Sequence, residues 1–195
     1  LIRLRNDSVK SSERASFILP QKPANLLKTL LAKEEGNVQI RFDENSAHVL
    51  CESFEMVCRL IEGRYPNYNG VIPKENPYKV TVDRISFLTA LKRVSVFSQA
   101  TSLVKLQLNS DEIIIFGQDI DFSIAAEEHI PCSLDGPETV IGFNAVYLIE
   151  ILSNIGSDDV ILELADRTRA GVIVPAENEE NEDLLTLLMP MMLND

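Results

Sequence analysis

Lys79-Val80-Thr81-Val82-Asp83-Arg84-Ile85-Ser86-Phe87-Leu88-Thr89-Ala90-Leu91 is a strand running straight into a helix. Lys79 to Val82 is a short β-forming run, and Asp83 is a residue type that caps helices. Phe87, Leu88 and Leu91 share one helical face, and the helix is expected to reach about Phe97. Beyond it Val104, Leu106 and Leu108 alternate with Lys105 and Gln107, the pattern of a half-buried strand. A turn at Asn109-Ser110-Asp111 leads to a strand at Ile113 to Phe116 and another near Phe122 to Ala126. The unit reads β-α-β-β-β.

The helical signature recurs on both sides. It stands at Leu26, Leu27 and Leu30, 61 residues before Phe87, and again at Tyr147, Leu148 and Ile151, where Tyr147 is 60 residues after Phe87. A fixed period of this kind marks one supersecondary unit copied along the chain. The first copy has a strand at Ala15 to Leu19, then Pro23 in a position suited to a first helical turn, and a helix to about Leu31. The stop Glu34-Glu35-Gly36-Asn37 follows. Val38, Ile40 and Phe42 form an alternating strand, with two more around His48 to Cys51 and Phe54 to Leu60. The third copy runs from Thr139 to Gly142 into a helix capped by Asn144 and ending near Asn154. Strands follow at Val160 to Leu164 and Gly171 to Val174, then the acidic loop Glu177 to Asp183 and a last strand from Leu184 to Met192.

Two such copies bury a pair of helices against strands. The expected class is α+β, repeated units with helices on one face and antiparallel sheets on the other. Residues 74–195 are expected to form one complete domain. Residues 1–73 read as the second half of a preceding domain, and an odd number of copies makes the chain look like a piece of something longer. Gly63-Arg64-Tyr65-Pro66-Asn67-Tyr68-Asn69-Gly70 is dense in turn formers and marks the connection.

The net charge is −12, which by itself disfavours nucleic acid. Its distribution is uneven. Residues 20–33 carry Lys22, Lys28 and Lys33 without an acid, and residues 84–97 carry Arg84, Lys92 and Arg93 without an acid. Both windows are helices of the repeat, which points to a shared basic surface on an acidic protein. The third helix carries only Glu150. The three cysteines Cys51, Cys58 and Cys132 form no disulfide framework or zinc spacing, as expected of a reduced, cytoplasmic compartment. The two histidines, His48 and His129, lie in different copies and read as structural. No nucleophile motif, phosphate-cradling glycine run or calcium loop is present, so neither catalytic residues nor a metal or cofactor is expected. The end Leu187-Leu188-Met189-Pro190-Met191-Met192-Leu193 is nearly all apolar. Pro190 interrupts ladder pairing and methionines suit adaptable binding surfaces, so this tail is expected to line a peptide-accepting groove.

Gly63-Arg64-Tyr65-Pro66-Asn67-Tyr68 with Val71-Ile72-Pro73, Ile141-Gly142-Phe143-Asn144 with Tyr147-Leu148, and the ending Leu188-Met189-Pro190-Met191 together resemble the β subunit of bacterial DNA polymerase III, the sliding clamp. The resemblance is collinear over the whole chain. The ending, Glu180-Asn181-Glu182-Asp183-Leu184-Leu185 through Asp195, resembles the Bacteroides-type branch.

The resemblance implies a non-catalytic processivity factor. Clamps of this family are head-to-tail homodimeric rings of three-domain subunits. They encircle duplex DNA without reading its bases and tether the polymerase. It implies that Lys22, Lys28, Lys92 and Arg93 face the DNA channel. It implies a pocket between the middle and last domains for peptides of the polymerase III α subunit, the clamp loader and other partners. The positions that match by motif are Pro66, Val71, Asn144, Tyr147, Leu187, Leu188, Met189, Pro190 and Met191. Thr168, Ala170 and Leu1 match by position only. Gly70 stands where the family often has a basic residue. Val96 and Phe97 fall at the subunit interface. Two other readings are a repeat scaffold for protein partners only, and a hydrolase or transferase with a diffuse site. The first predicts no basic helical face, and the second lacks a nucleophile and base.

Overall fold

The computed structural model describes residues 1–9 and 15–193. Its elements in chain order are β1 (Ile2–Asn6), α1 (Gln21–Leu31), β2 (Gln39–Phe42), β3 (Ser46–Leu50), β4 (Glu55–Arg59), β5 (Tyr78–Asp83), α2 (Arg84–Ser95), β6 (Leu103–Leu108), β7 (Glu112–Asp119), β8 (Ile124–Pro131), β9 (Ser133–Asp135), β10 (Thr139–Asn144), α3 (Ala145–Ser153), β11 (Asp159–Leu164), β12 (Gly171–Pro175) and β13 (Glu182–Leu188). They fall into two compact units, one holding residues 1–9 with 68–193 and the other residues 15–67.

In the larger unit the second and third copies interlock. One sheet has the order β1-β13-β12-β11-β5-β9 and the other β10-β6-β7-β8, with every pairing antiparallel. The leading strand of each copy joins the sheet of the other: β5 pairs with β11, and β10 pairs with β6. Neither copy can therefore complete its sheet alone. Helices α2 and α3 pack side by side, with α2 over β7 and β8 and α3 against β10 and β13. All of the repeat signature on α2 and α3 except Tyr147 is buried in the core of this layer. Phe87, Leu91, Leu148 and Leu152 are fully buried among Val104, Leu106, Ile113, Ile115, Val160 and Leu162. The alternation read from the chain is the alternation of burial: β6, β7 and β11 bury every second residue.

Both expected caps are formed. Asp83 accepts from the Ser86 backbone N–H at 2.7 Å, and Asn144 Oδ1 accepts from Val146 and Tyr147 at 3.0 and 3.2 Å. Each satisfies N–H groups that the first helical turn leaves without partners. Helix α2 ends at Ser95, two residues short of expectation, and tightens into a 3₁₀ turn over Val96–Ser98.

The smaller unit contains α1 and the antiparallel order β2-β3-β4. The register aligns Ile40, Val49 and Met56 in one row and Phe42, Ala47 and Cys58 in another. Leu27, Ala47 and Val49 are buried, whereas Ile40 and Phe42 stay about half exposed. The strand expected at Ala15 to Leu19 does not form. In the larger unit each leading strand pairs with a sister copy, and this unit holds no second copy. A single backbone bond, Ile61 N–H to the Ile18 carbonyl at 3.0 Å, and the Phe17 ring on Phe42 hold the segment among the described residues.

Other boundaries also shift. Ile2–Asn6 exchanges a full antiparallel ladder with β13 and lies in the larger compact unit. The strand expected near Phe122 to Ala126 is β8, which lies later in the chain, because its eight-residue ladder with β7 starts only at Ile124. The last strand stops at Leu188, ahead of Pro190, a residue without a ladder donor. No helix among the described residues is long and apolar enough to cross a membrane.

Candidate functional site

The carboxyl-terminal tail leaves the six-stranded sheet and crosses to the four-stranded one. Leu188 is in register with Gly171 on β12, and three residues later Met191 forms an antiparallel bridge to Gly142 on β10, its N–H donating to the Gly142 carbonyl at 2.8 Å. Met189 and Pro190 are the crossing. Their backbone is held at both ends while the Met189 side chain remains 59% exposed.

Two residues beyond Gly142, Asn144 caps α3. Its bond to the Tyr147 N–H fixes the first helical turn, from which Tyr147 projects 57% exposed. On the other side of the tail, Leu1 and Leu187 exchange backbone bonds: the Leu1 amino group donates to the Leu187 carbonyl at 3.0 Å, and the Leu187 N–H donates to the Leu1 carbonyl at 2.8 Å. Leu187 and Leu188 are buried, as is Ala170, whose carbonyl accepts from Asn76 Nδ2 at 3.1 Å. The larger unit thus joins Leu1 to Leu187, Leu188 to the Ala170–Gly171 turn, and Met191 to the strand that carries Asn144.

Thr168, Val71 and Pro66 have the following settings. Thr168 turns into its own loop, its hydroxyl donating to Asp166 Oδ1 at 2.7 Å. That bond, with the Thr168 N–H, holds the Asp166 carboxyl below its usual range. Val71 is exposed and follows a 3₁₀ turn, its N–H donating to the Tyr68 carbonyl at 3.1 Å. Pro66 belongs to the other compact unit.

The cations of the two basic windows have different fates. Lys22 and Lys28 are exposed on α1, and Lys92 is exposed on α2. Arg93 forms a bidentate ion pair with Glu128 on β8. The carboxylate raises the guanidinium pKa, and the guanidinium holds the Glu128 carboxyl below its usual range. Arg93, expected at the DNA channel, therefore carries a carboxylate partner on β8. Arg84 is also committed, donating from Nε to the Ser157 carbonyl at 2.7 Å and from Nη1 to the Leu152 carbonyl at 3.2 Å. Val96 is exposed and Phe97 half-buried on the turn after α2.

The family models for the DNA polymerase III beta subunit match along the chain, the central domain over residues 2–67 and the C-terminal domain over residues 69–192. The chain belongs to the DNA polymerase III beta subunit family. It is 27% identical over 186 residues to the beta sliding clamp of Pseudomonas aeruginosa, covering 95% of this chain and 50% of that protein. The crystal structure of the Pseudomonas aeruginosa clamp bound to griselimycin superposes with a TM-score of 0.85 at 27% identity, covering 95% of this chain and 49% of the other. That of the Bartonella birtlesii clamp, also bound to griselimycin, gives 0.84 at 29% identity over 92% and 48%. The chain spans about half the length of the curated relatives it matches. The sliding-clamp fold that the motif resemblance implies is thereby established.

Three features of this beta-subunit chain escaped the sequence reading. The alternation of Ile2 and Leu4 with Arg3 and Arg5 is a strand signal that was available and unused. The acidic run reads as loop, yet its end, Glu182 and Asp183, lies in β13 facing β1: Asn6 Nδ2 donates to Glu182 at 3.0 Å and Arg3 pairs with Asp183 at 2.8 Å. The Gly142–Met191 bridge had no local signal, because the two residues are far apart in the chain.

Proposed function

We propose that this chain acts as part of a sliding clamp, a non-catalytic cytoplasmic subunit that tethers the replicative polymerase to duplex DNA. Residues 74–195 correspond in this reading to the complete last clamp domain and residues 1–73 to the second half of the middle one. The full-length protein closes as a homodimeric ring, with Val96 and Phe97 at the subunit interface. Duplex DNA is held through Lys22, Lys28 and Lys92 by charge alone, without base readout. Peptides of the polymerase III α subunit, the clamp loader and other partners dock on the tail, against Leu1, Val71, Tyr147, Met189, Pro190 and Met191.

The observation that carries this reading is the pair Tyr147 and Met189. Large apolar side chains left more than half exposed on backbone anchored at both ends are what a docking surface requires. Asn144, Leu187 and Leu188 act beneath them by fixing that backbone. Griselimycin, the ligand of the two related clamps, is proposed to bind here. Titration calorimetry of the chain with griselimycin tests it. Met189→Glu and Tyr147→Glu are expected to abolish binding without moving the thermal unfolding midpoint, and unchanged affinity in both variants would reject the assignment.

A further inference from the structure

A side chain on Gly142 would crowd the tail on its present course. A Cβ built on Gly142 would stand 2.7 Å from Leu193 Cδ2, 3.0 Å from Leu103 Cδ1 and 3.0 Å from the Met191 carbonyl oxygen. Two of these neighbours are flexible side-chain ends, but the third is the backbone of the tail itself. Strand β10 is held on its far side. It is paired with β6 along its whole length, from Thr139 opposite Leu108 to Asn144 opposite Leu103, with Gly142 opposite Lys105. An added Cβ therefore bears on the tail, at Leu193 and at the Met191 carbonyl, as well as on Leu103. The tail has little slack to absorb the change, since only Met189 and Pro190 separate the Met191 bridge from Leu188 in β13. A displacement at Met191 is passed directly to Met189, while Tyr147 stays fixed by the Asn144 cap.

We propose that Gly142 is a positioning residue of the peptide-docking surface: its missing side chain is the seat of the tail, and it sets the spacing between Met189 and Tyr147 on which docking depends. This rests on the tail being the docking surface. It adds a residue that touches no ligand and governs affinity through the backbone.

The test uses the whole chain, with Gly142→Ala, Gly142→Val and the double variant Gly142→Ala/Leu193→Ala. Three quantities are read: griselimycin affinity by calorimetry, hydrogen exchange of the Met191 amide, and the thermal midpoint. Gly142→Val is expected to weaken griselimycin about tenfold or more and to speed Met191 exchange. Gly142→Ala should do so to a smaller degree. Leu193→Ala removes the nearest conflict, so the double variant is expected to regain affinity relative to Gly142→Ala. A merely structural glycine would lower the midpoint without this rescue. Wild-type affinity in Gly142→Ala and Gly142→Val overturns the proposal, whatever the exchange shows, and so does a double variant no better than Gly142→Ala. If Gly142→Val fails to fold, the alanine pair decides. Failure of the unsubstituted chain to bind griselimycin counts against the docking surface itself. The seat is then judged by Met191 exchange alone, and an unchanged rate in Gly142→Ala rejects it.

Discussion

Arg84 Nη1 donates to the carbonyl of Leu152 at 3.2 Å, joining the first residue of α2 to the last turn of α3. The same guanidinium reaches the Ser157 carbonyl through Nε at 2.7 Å, and the Arg84 backbone N–H donates to Asp158 at 2.8 Å. A cation at a helix C-terminus satisfies carbonyls that the helix cannot and opposes its dipole. Arg84→Ala leaves part-buried carbonyls without a donor. It is expected to cost about 1.5–3 kcal/mol of stability in denaturant unfolding, the scale of hydrogen bonds to charged groups. Arg84→Lys should recover only part of this, because an ammonium lacks the fixed planar fork whose separate nitrogens reach the two carbonyls. Neither change should alter the salt dependence of DNA binding. A shallower salt slope in Arg84→Ala would return this residue to the DNA face.

Arg93 and Lys92 are neighbours with opposite predictions. Glu128 offsets the Arg93 charge, while Lys92 has no ion-pair partner among the described residues. Each phosphate contact contributes a slope of about 0.9 to the dependence of log K on log salt. Lys92→Ala is expected to make the slope of duplex binding shallower by about that amount. Glu128→Gln should steepen it by up to the same amount, by releasing Arg93 to the DNA. Fluorescence anisotropy at several salt concentrations measures both. Identical slopes for wild type and the two variants would remove α2 from the DNA-binding surface.

What the chain disclosed, and what it hid, follows from the range of each interaction. Helices α2 and α3 were readable because cap and apolar face are local: Asp83 with Phe87, Leu88 and Leu91, and Asn144 with Leu148 and Ile151. The alternating strands β6, β7 and β11 were readable for the same reason. The segment Ala15 to Leu19 has a strand-like composition but no ladder to join, and composition does not supply a partner. The proposed docking surface was half readable. The apolar, proline-interrupted tail announces itself, but that it is pinned at Gly142 is a contact between residues 49 positions apart, 142 and 191. Counting charges tells only part of the story, because a cation in a window carries no mark of the carbonyl or carboxylate beside it, as Arg84 and Arg93 show.

His129 lies between two carboxylates on the edge strand β8. Nδ1 is 3.0 Å from Glu112 and Nε2 is 3.1 Å from Glu127, so the protonated ring donates to both. The Glu112 bond first, then the Glu127 bond, push the imidazole above its ordinary value, and His129 in turn holds the Glu112 carboxyl low. A raised histidine stabilises the fold fully below its unfolded value of about 6.5, and the contribution is lost as pH rises through the folded value. A lowered glutamate contributes above about 4.3 and loses the contribution as pH falls through its folded value. The cluster therefore stabilises most between these limits. The difference in thermal midpoint between wild type and His129→Gln is expected to be largest near pH ~5.5 and to shrink by pH ~8.5. Because the three groups are exposed, added salt should reduce it. A difference that does not vary with pH would show that the histidine stays neutral.

Strand β1 covers an edge that would otherwise be open. Its five residues pair with Glu182 to Thr186 of β13, and Arg3, largely buried, pairs with Asp183 at 2.8 Å. Beneath it, β13 reads Leu184-Leu185-Thr186-Leu187-Leu188, an apolar run. A long apolar strand with free N–H and C=O groups is a template for pairing with another chain. Deleting residues 1–6 is expected to leave the core of α2, α3 and the inner strands folded, because none of those contacts passes through β1. The uncovered β13 should then associate with a second copy, raising the weight-average mass in sedimentation velocity with increasing concentration. Arg3→Glu places like charge against Asp183 without removing the strand, and should loosen β1 and give a weaker form of the same association. The deletion also removes Leu1 from beside Leu187, so griselimycin affinity is expected to fall in it and to fall less in Arg3→Glu. A deletion variant that stays monodisperse at all concentrations would show that β13 is protected by its own twist and side chains, and that β1 serves only to bring Leu1 to the tail.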